Sequence, residues 1–231
     1  MEKFLCAATC FSIFVQKQSG MLPSLLSKID HLVYAVPDFE AGLDFVENLL
    51  GIRPGMGGQH PAFGTQNALL SLGEACYLEI IGPDPSLGTP ARPRPFGIDR
   101  LTAPKLVTWA AKASGLEAWV KKARENGLPV GNIATGQRLR PDGTLLAWQL
   151  TDLYVLIEGG IIPFLIDWGD SQHPAKAATP GIRLLDLRAE HPQPEAVKNM
   201  LQLLDIEMQV DAGEGPSLVA TLETPKGLVV L

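Results

Sequence analysis

Cysteine is scarce in this sequence. There are three in 231 residues, Cys6, Cys10 and Cys76, an odd number that builds no disulfide framework and suits a reducing compartment. No run reaches the roughly 20 apolar residues that span a bilayer. No basic cluster offsets a formal net charge of −6, so nucleic acid and anionic membrane surfaces are poor partners. Gly-x-Ser-x-Gly, GxGxxG at a strand–helix turn and a phosphate loop are all missing, and Cys76 has no histidine near it in sequence. Nucleophilic and dinucleotide chemistry therefore have little support. What is present is a chain 46% hydrophobic and 19% charged, enough for a globular fold with a substantial core.

The apolar run Phe4–Val15 has the length of a signal-peptide core. Glu2 weakens its positive start, and Gln16–Gly20 offers no small-x-small cleavage site. Residues 1–24 are read as an N-terminal extension, with a targeting segment or a packed helix as alternatives. The expected location is cytoplasmic.

Beyond residue 24 the chain repeats itself at intervals near 75 residues, and a repeat outranks any single motif. Ile29–Val36 followed by the amphipathic run Phe39–Leu50 is a strand, a turn and a helix. Leu106–Ala111 with Leu116–Asn126, and Ile182–Leu187 with Pro194–Leu204, read the same way. Each is followed by further extended segments. Pro141-Asp142-Gly143 predicts a hairpin turn between two of them, because proline presets the turn and Asp-Gly tolerates positive φ. The fold class expected is α+β: repeated β-α-β-β-β modules forming an open, cup-shaped mixed sheet with helices outside. The expected division is a domain over 25–178, with modules at 27–82 and 105–168, and a third such module over 179–231. The connectors are the Pro- and Gly-rich 83–104 and 169–181.

Several stretches together are similar to the glyoxalase-like domain family of the vicinal oxygen chelate superfamily. They are Asp30–Val36, Gly58–Leu69, Tyr77–Ile81, Arg140–Trp148 and Ile162–Trp168. The resemblance covers about residues 27–175 and weakens beyond. It implies paired modules whose strands curl into a cup. In metal-using members, the first and last strands of each module carry the ligands.

Period-two alternation places His31 on one face of its strand with Val33 and Ala35, and Glu79 on the same face as Tyr77 and Ile81. An imidazole or carboxylate among apolar neighbours needs a partner or a metal. His31, Glu79 and Asp167 are the candidate metal ligands; an ion pair among strand residues is the competing explanation for the first two, and Asp167 could equally cap the turn before Gly169. One histidine with two carboxylates suits Mn, Fe(II) or Mg better than a structural Zn. Where the second module would supply a ligand, it carries Val107 and Trp109. His60, in a Gly-rich loop, is a candidate general base or further ligand, and Glu79 shares the catalytic assignment. Arg138 and Arg140 alternate with Leu139, so both face one way and could hold a carboxylate or phosphate, or guard an edge strand. Trp109, Trp148 and Trp168 are candidates for the cup wall, with burial in the core as the alternative. His173 and His191 each precede a proline outside the cup-forming strands and read as structural or solvent-facing.

These readings predict a divalent-metal-dependent isomerase, lyase or dioxygenase acting on a small oxygen-rich substrate. The alternative is a metal-free module that binds or sequesters a small molecule. A third reading is an assembly role for the last module. A small molecule is the expected partner, neither nucleic acid nor membrane is, and a homodimer is left open.

Overall fold

A computed structural model describes residues 22–139, 143 and 145–231. Residues 1–21, with Cys6 and Cys10, lie outside the described residues. So do Arg140 and the Pro141 and Asp142 of the expected turn.

A short helix, Leu22–Lys28 (α1), leads into Ile29–Ala35 (β1). The first module continues with Phe39–Leu50 (α2), Gly55–His60 (β2), Thr65–Gly73 (β3) and Cys76–Pro83 (β4). The second consists of Lys105–Lys112 (β5), Leu116–Glu125 (α3), Ile133–Leu139 (β6), Leu145–Thr151 (β7) and Phe164–Asp167 (β8). These strands form one eight-stranded sheet in the order β2-β3-β4-β1-β5-β8-β7-β6. The order is palindromic in module position. Within each module the first strand pairs in parallel with the last, and β1 pairs antiparallel with β5 at the centre. The two edge strands curl toward each other, and Arg138 Nη1 on β6 donates to the Gly57 carbonyl on β2 at 2.8 Å. The sheet is thus a nearly closed cup.

Sequence patterning explains both faces. On β1, Ile29, Leu32 and Tyr34, with Val36 just after it, belong to the main outer core, while Val33 and Ala35 line the inner one. Helix α2 covers the outer face with Phe39, Leu43, Val46 and Leu50, all buried at helical spacing. Full burial of each large side chain contributes about 1.5–3 kcal/mol. Asp38 caps this helix by accepting from the Ala41 N–H, and Gly51 ends it at φ 83°.

The last part of the chain runs Arg183–His191 (β9), Pro194–Leu203 (α4), Val210–Ala212 (β10), Ser217–Thr224 (β11) and Gly227–Val230 (β12). Its element order repeats that of the two modules, but its pairing does not. β10 returns in parallel beside β9, giving the separate sheet β10-β9-β11-β12. In the cup modules the strand after the helix goes instead to the far edge. Leu187, Ala189, Ala220 and Leu222 of this second sheet join the core on the cup's outer side. The connector after β8 is tied to the cup by a Leu70–Thr179 bridge and by the Ser71 N–H donating to the Thr179 carbonyl at 2.8 Å.

Candidate active site

The inside of the cup holds a cavity of about 610 Å³, solvent-filled mouth included. Strand alternation decides what enters it. His31 comes from β1, Tyr77, Glu79 and Ile81 from β4, and Phe164 and Ile166 from β8.

At the floor, His31 is held from three sides. Tyr77 stacks on its ring, with centroids 4.6 Å apart and planes 17° from parallel, and Phe164 meets it edge-on at 5.5 Å. Its Nδ1 lies 2.8 Å from Asp30 Oδ1. Asp30, 1% exposed, also accepts from Trp168 Nε1 at 3.1 Å and lies 3.0 Å from His173 Nε2. The His173 Nδ1 accepts from the Ala175 N–H, so the proton facing Asp30 sits on Nε2. Burial pushes the Asp30 carboxyl upward. Hydrogen bonds from His173 and His31, reinforced by positive charge on either ring whenever it is protonated, outweigh that and hold it well below the ordinary carboxylate range. An ionised Asp30 can only accept, so neutral His31 carries its proton on Nδ1. Its Nε2 then offers a lone pair to the cavity, 3.8 Å from Glu79 Oε2, too far for a hydrogen bond. Glu79 is positioned in turn. The Gly58 N–H donates to Asn67 Oδ1, which turns the Asn67 amide nitrogen toward Glu79 Oε1 at 2.5 Å.

A β-bulge makes this arrangement. Ile29 pairs with Ala111 and His31 with Ala110, so Asp30 is an extra residue on β1. The bulge releases Asp30 from the alternation and lets its carboxylate reach His31 together with Trp168 and His173.

Across the cavity stand His60, Arg138 and Trp148. Burial lowers the His60 pKa, Arg138 lowers it further, and Glu79 partly opposes both. The His60 Nδ1 lies 3.2 Å from Thr65 Oγ1. Trp148 packs over Gly136, where a Cβ would come within 2.3 Å of its ring, and sits 5.5 Å from Trp168.

Two expected site residues are elsewhere. Trp109 is 0% exposed in the outer core and donates its Nε1–H to the Ile161 carbonyl at 2.8 Å. A second bulge explains this: Val33 pairs with Thr108 and Tyr34 with Leu106, so Val107 is extra and the phase of β5 reverses before Trp109. Asp167 does not line the cavity. It is out of phase with Phe164, Ile166 and Trp168, and its carboxylate accepts from the N–H groups of Gly115 and Gly169. The ligand set His31, Glu79 and Asp167 is therefore not assembled. Among the described residues no three His, Cys, Asp or Glu side chains converge as an ion requires. His31 and Glu79 form a two-donor edge with Glu79 Oε1 already bonded to Asn67, which does not fit a resident divalent metal.

Sequence reasoning missed Asp30, Asn67 and His173. Simple alternation put Asp30 on the opposite face from His31. Asn67 carried a signal, an amide leading directly into the apolar run Ala68–Leu70. His173 reaches the floor only because the connector folds back over β3, and short-range pattern does not encode that.

Comparison with known proteins finds the same fold in one solved structure and looser likeness in others. A protein from Staphylococcus aureus described as hypothetical superposes with a TM-score of 0.59 at 15% identity, over 82% of this chain and 88% of its own. The methylmalonyl-CoA epimerase of Mycobacterium tuberculosis gives 0.40 at 19% identity, over 63% and 90%. A hypothetical protein from Bacillus halodurans gives 0.39 at 18%, over 63% and 96%. No curated protein matches. The model of the glyoxalase-like domain matches residues 29–204, and this chain belongs to the glyoxalase-like domain family.

Proposed function

We propose that the cup is the active site of an isomerase or lyase that moves a proton at a carbon beside a carbonyl, in a small and largely apolar substrate. One observation carries this: an imidazole whose tautomer is set by a buried, ionised carboxylate, with Nε2 directed into the cavity beside a second carboxyl group. In the step envisaged, the C–H bond breaks, its proton goes to His31 Nε2 and its electron pair moves onto the carbonyl oxygen. Asp30 stabilises the imidazolium, and Glu79 is the second group able to carry a proton. Arg138, on the opposite wall, supplies positive charge toward the developing oxyanion. Aromatic and aliphatic walls exclude water and favour an apolar substrate body.

The reading includes no divalent ion, because the donor set does not fit one. Metal content of the purified protein, and melting with and without manganese, test that part; a rise in melting temperature lost in His31→Ala would restore the ion. The apolar walls also favour a second reading, a binding module without catalysis.

The experiment is deuterium wash-in from D₂O into a panel of 2-oxo acids and related carbonyl compounds, with chelator present. Exchange by the wild type should fall about 10²–10⁴-fold in His31→Ala, the usual worth of a general base. Binding without exchange would support the second reading. Exchange unaffected by His31→Ala would contradict the first.

A further inference from the structure

The connector between the two modules carries a second cleft beside the cup. Residues 89–100 bend past the mouth, and Phe96 lines both cavities. Phe96 is 4% exposed and holds φ 59°, a conformation bulky residues rarely adopt. It packs 5.9 Å from Phe164 of the cup, and its N–H donates to the Leu153 carbonyl. Phe96 is thus an anchored residue shared by the two cavities.

Three arginines line this cleft, Arg92, Arg94 and Arg100, against one carboxylate, Asp99. Arg94 consumes that carboxylate. Its Nη1 lies 2.6 Å from Asp99 Oδ1, its own N–H donates to Oδ2, and its Nε donates to the Gly64 carbonyl. Arg92 and Arg100 have no carboxylate partner among the described residues. Elsewhere Arg53 pairs with Asp44 and Glu47, Arg183 with Glu223 and Arg188 with Glu190, while exposed Arg124 is engaged by the Gly131 carbonyl and Asn132 Oδ1. Two unpaired guanidiniums in one cleft stand out in a chain of net charge −6. Arg92 is also held in place, its guanidinium carbon 4.1 Å from the centroid of the Tyr154 ring. That cation–π contact orients the fork without consuming its hydrogen-bond donors. Tyr154 in turn meets Phe63 of the cup edge-on at 6.4 Å.

We infer that this cleft binds an oxyanion, the phosphate or carboxylate group of an extended molecule whose other end lies in the cup. Two planar forks match either group with paired hydrogen bonds. The cup supplies the place of the reacting end, so the extended-substrate part rests on the proposed function. The oxyanion site itself does not.

Titration calorimetry of the full chain with pyrophosphate and with citrate tests the inference. Wild type and His31→Ala should bind one of them equally, and affinity should fall at least tenfold in Arg92→Ala/Arg100→Ala. Raised salt should weaken binding. Tighter binding of pyrophosphate assigns a phosphate group, and tighter binding of citrate a carboxylate. Lys121→Ala, which removes one exposed charge on α3, should change nothing. Absence of binding to both anions, or equal binding by the double variant with an unchanged melting temperature, would overturn it. Binding retained in a His31→Ala protein without deuterium exchange separates this inference from the fate of the cup chemistry.

Discussion

At the scale of the residue, Asp30 organises the floor of the cup more than His31 does. It takes hydrogen bonds from Trp168, His173 and His31, and each of those side chains also touches the cavity or its aromatic wall. Its folded-state pKa lies below its unfolded one, so its stabilisation is complete above the ordinary carboxylate range and is lost as pH falls through it. Asp30→Asn keeps the shape and loses the charge. Chemical denaturation at pH 7 should show a loss of about 1.5–3 kcal/mol, the worth of a charge-assisted bond, and the gap to wild type should narrow in acid. A pH-independent gap would mean that packing, not charge, is what Asp30 contributes. His60 titrates in the same sense for a different cause. Burial depresses its folded pKa, so stability is full above the ordinary imidazole range, near 6.5, and falls as pH drops through the folded value. Melting curves of His60→Gln should lose that part of the acid sensitivity, while an unchanged profile would place His60 in solvent.

At the scale of the element, the two bulges in the β1·β5 pair explain both what the sequence showed and what it hid. Alternation on β4, and on β1 from His31 onward, was legible because regular pleat there puts His31, Val33, Ala35, Tyr77, Glu79 and Ile81 inward. The helices were legible because Phe39, Leu43, Val46 and Leu50 recur at helical spacing between a cap and a glycine. Trp109 was misplaced because one extra residue on β5 reverses the phase, and a bulge is set by pairing across strands rather than along one. Asp167 was within reach of the same parity argument and falls on the outer phase of β8. The repeat of element order in residues 183–230 was legible; its different pairing was not, since order along the chain does not fix neighbours in a sheet. One close approach gives a test at this scale. Trp148 lies where a Cβ on Gly136 would be. Gly136→Val should displace the indole from the cup wall, shift tryptophan emission and weaken binding of cup ligands, while leaving far-ultraviolet circular dichroism nearly unchanged. Unaltered emission would show that β6 yields instead of Trp148.

At the scale of the whole molecule, two modules meet at β1 and β5, curl until β2 and β6 touch through Arg138, and so bring both walls around one cavity. The second sheet supports this cup from outside, and the connector folded over β3 delivers His173 to the floor. No helix among the described residues is long and apolar enough to cross a membrane. The central claim is that this architecture presents an imidazole lone pair to a buried small-molecule site. Long-range ¹H–¹⁵N correlation spectra of the histidine rings, assigned with His31→Ala and recorded at pH 8, test it most directly. The account predicts that His31 is neutral with its proton on Nδ1, and that Asp30→Asn disturbs this pattern. A proton on His31 Nε2, or an Nε2 signal shifted by a bound metal in protein as purified, would contradict it.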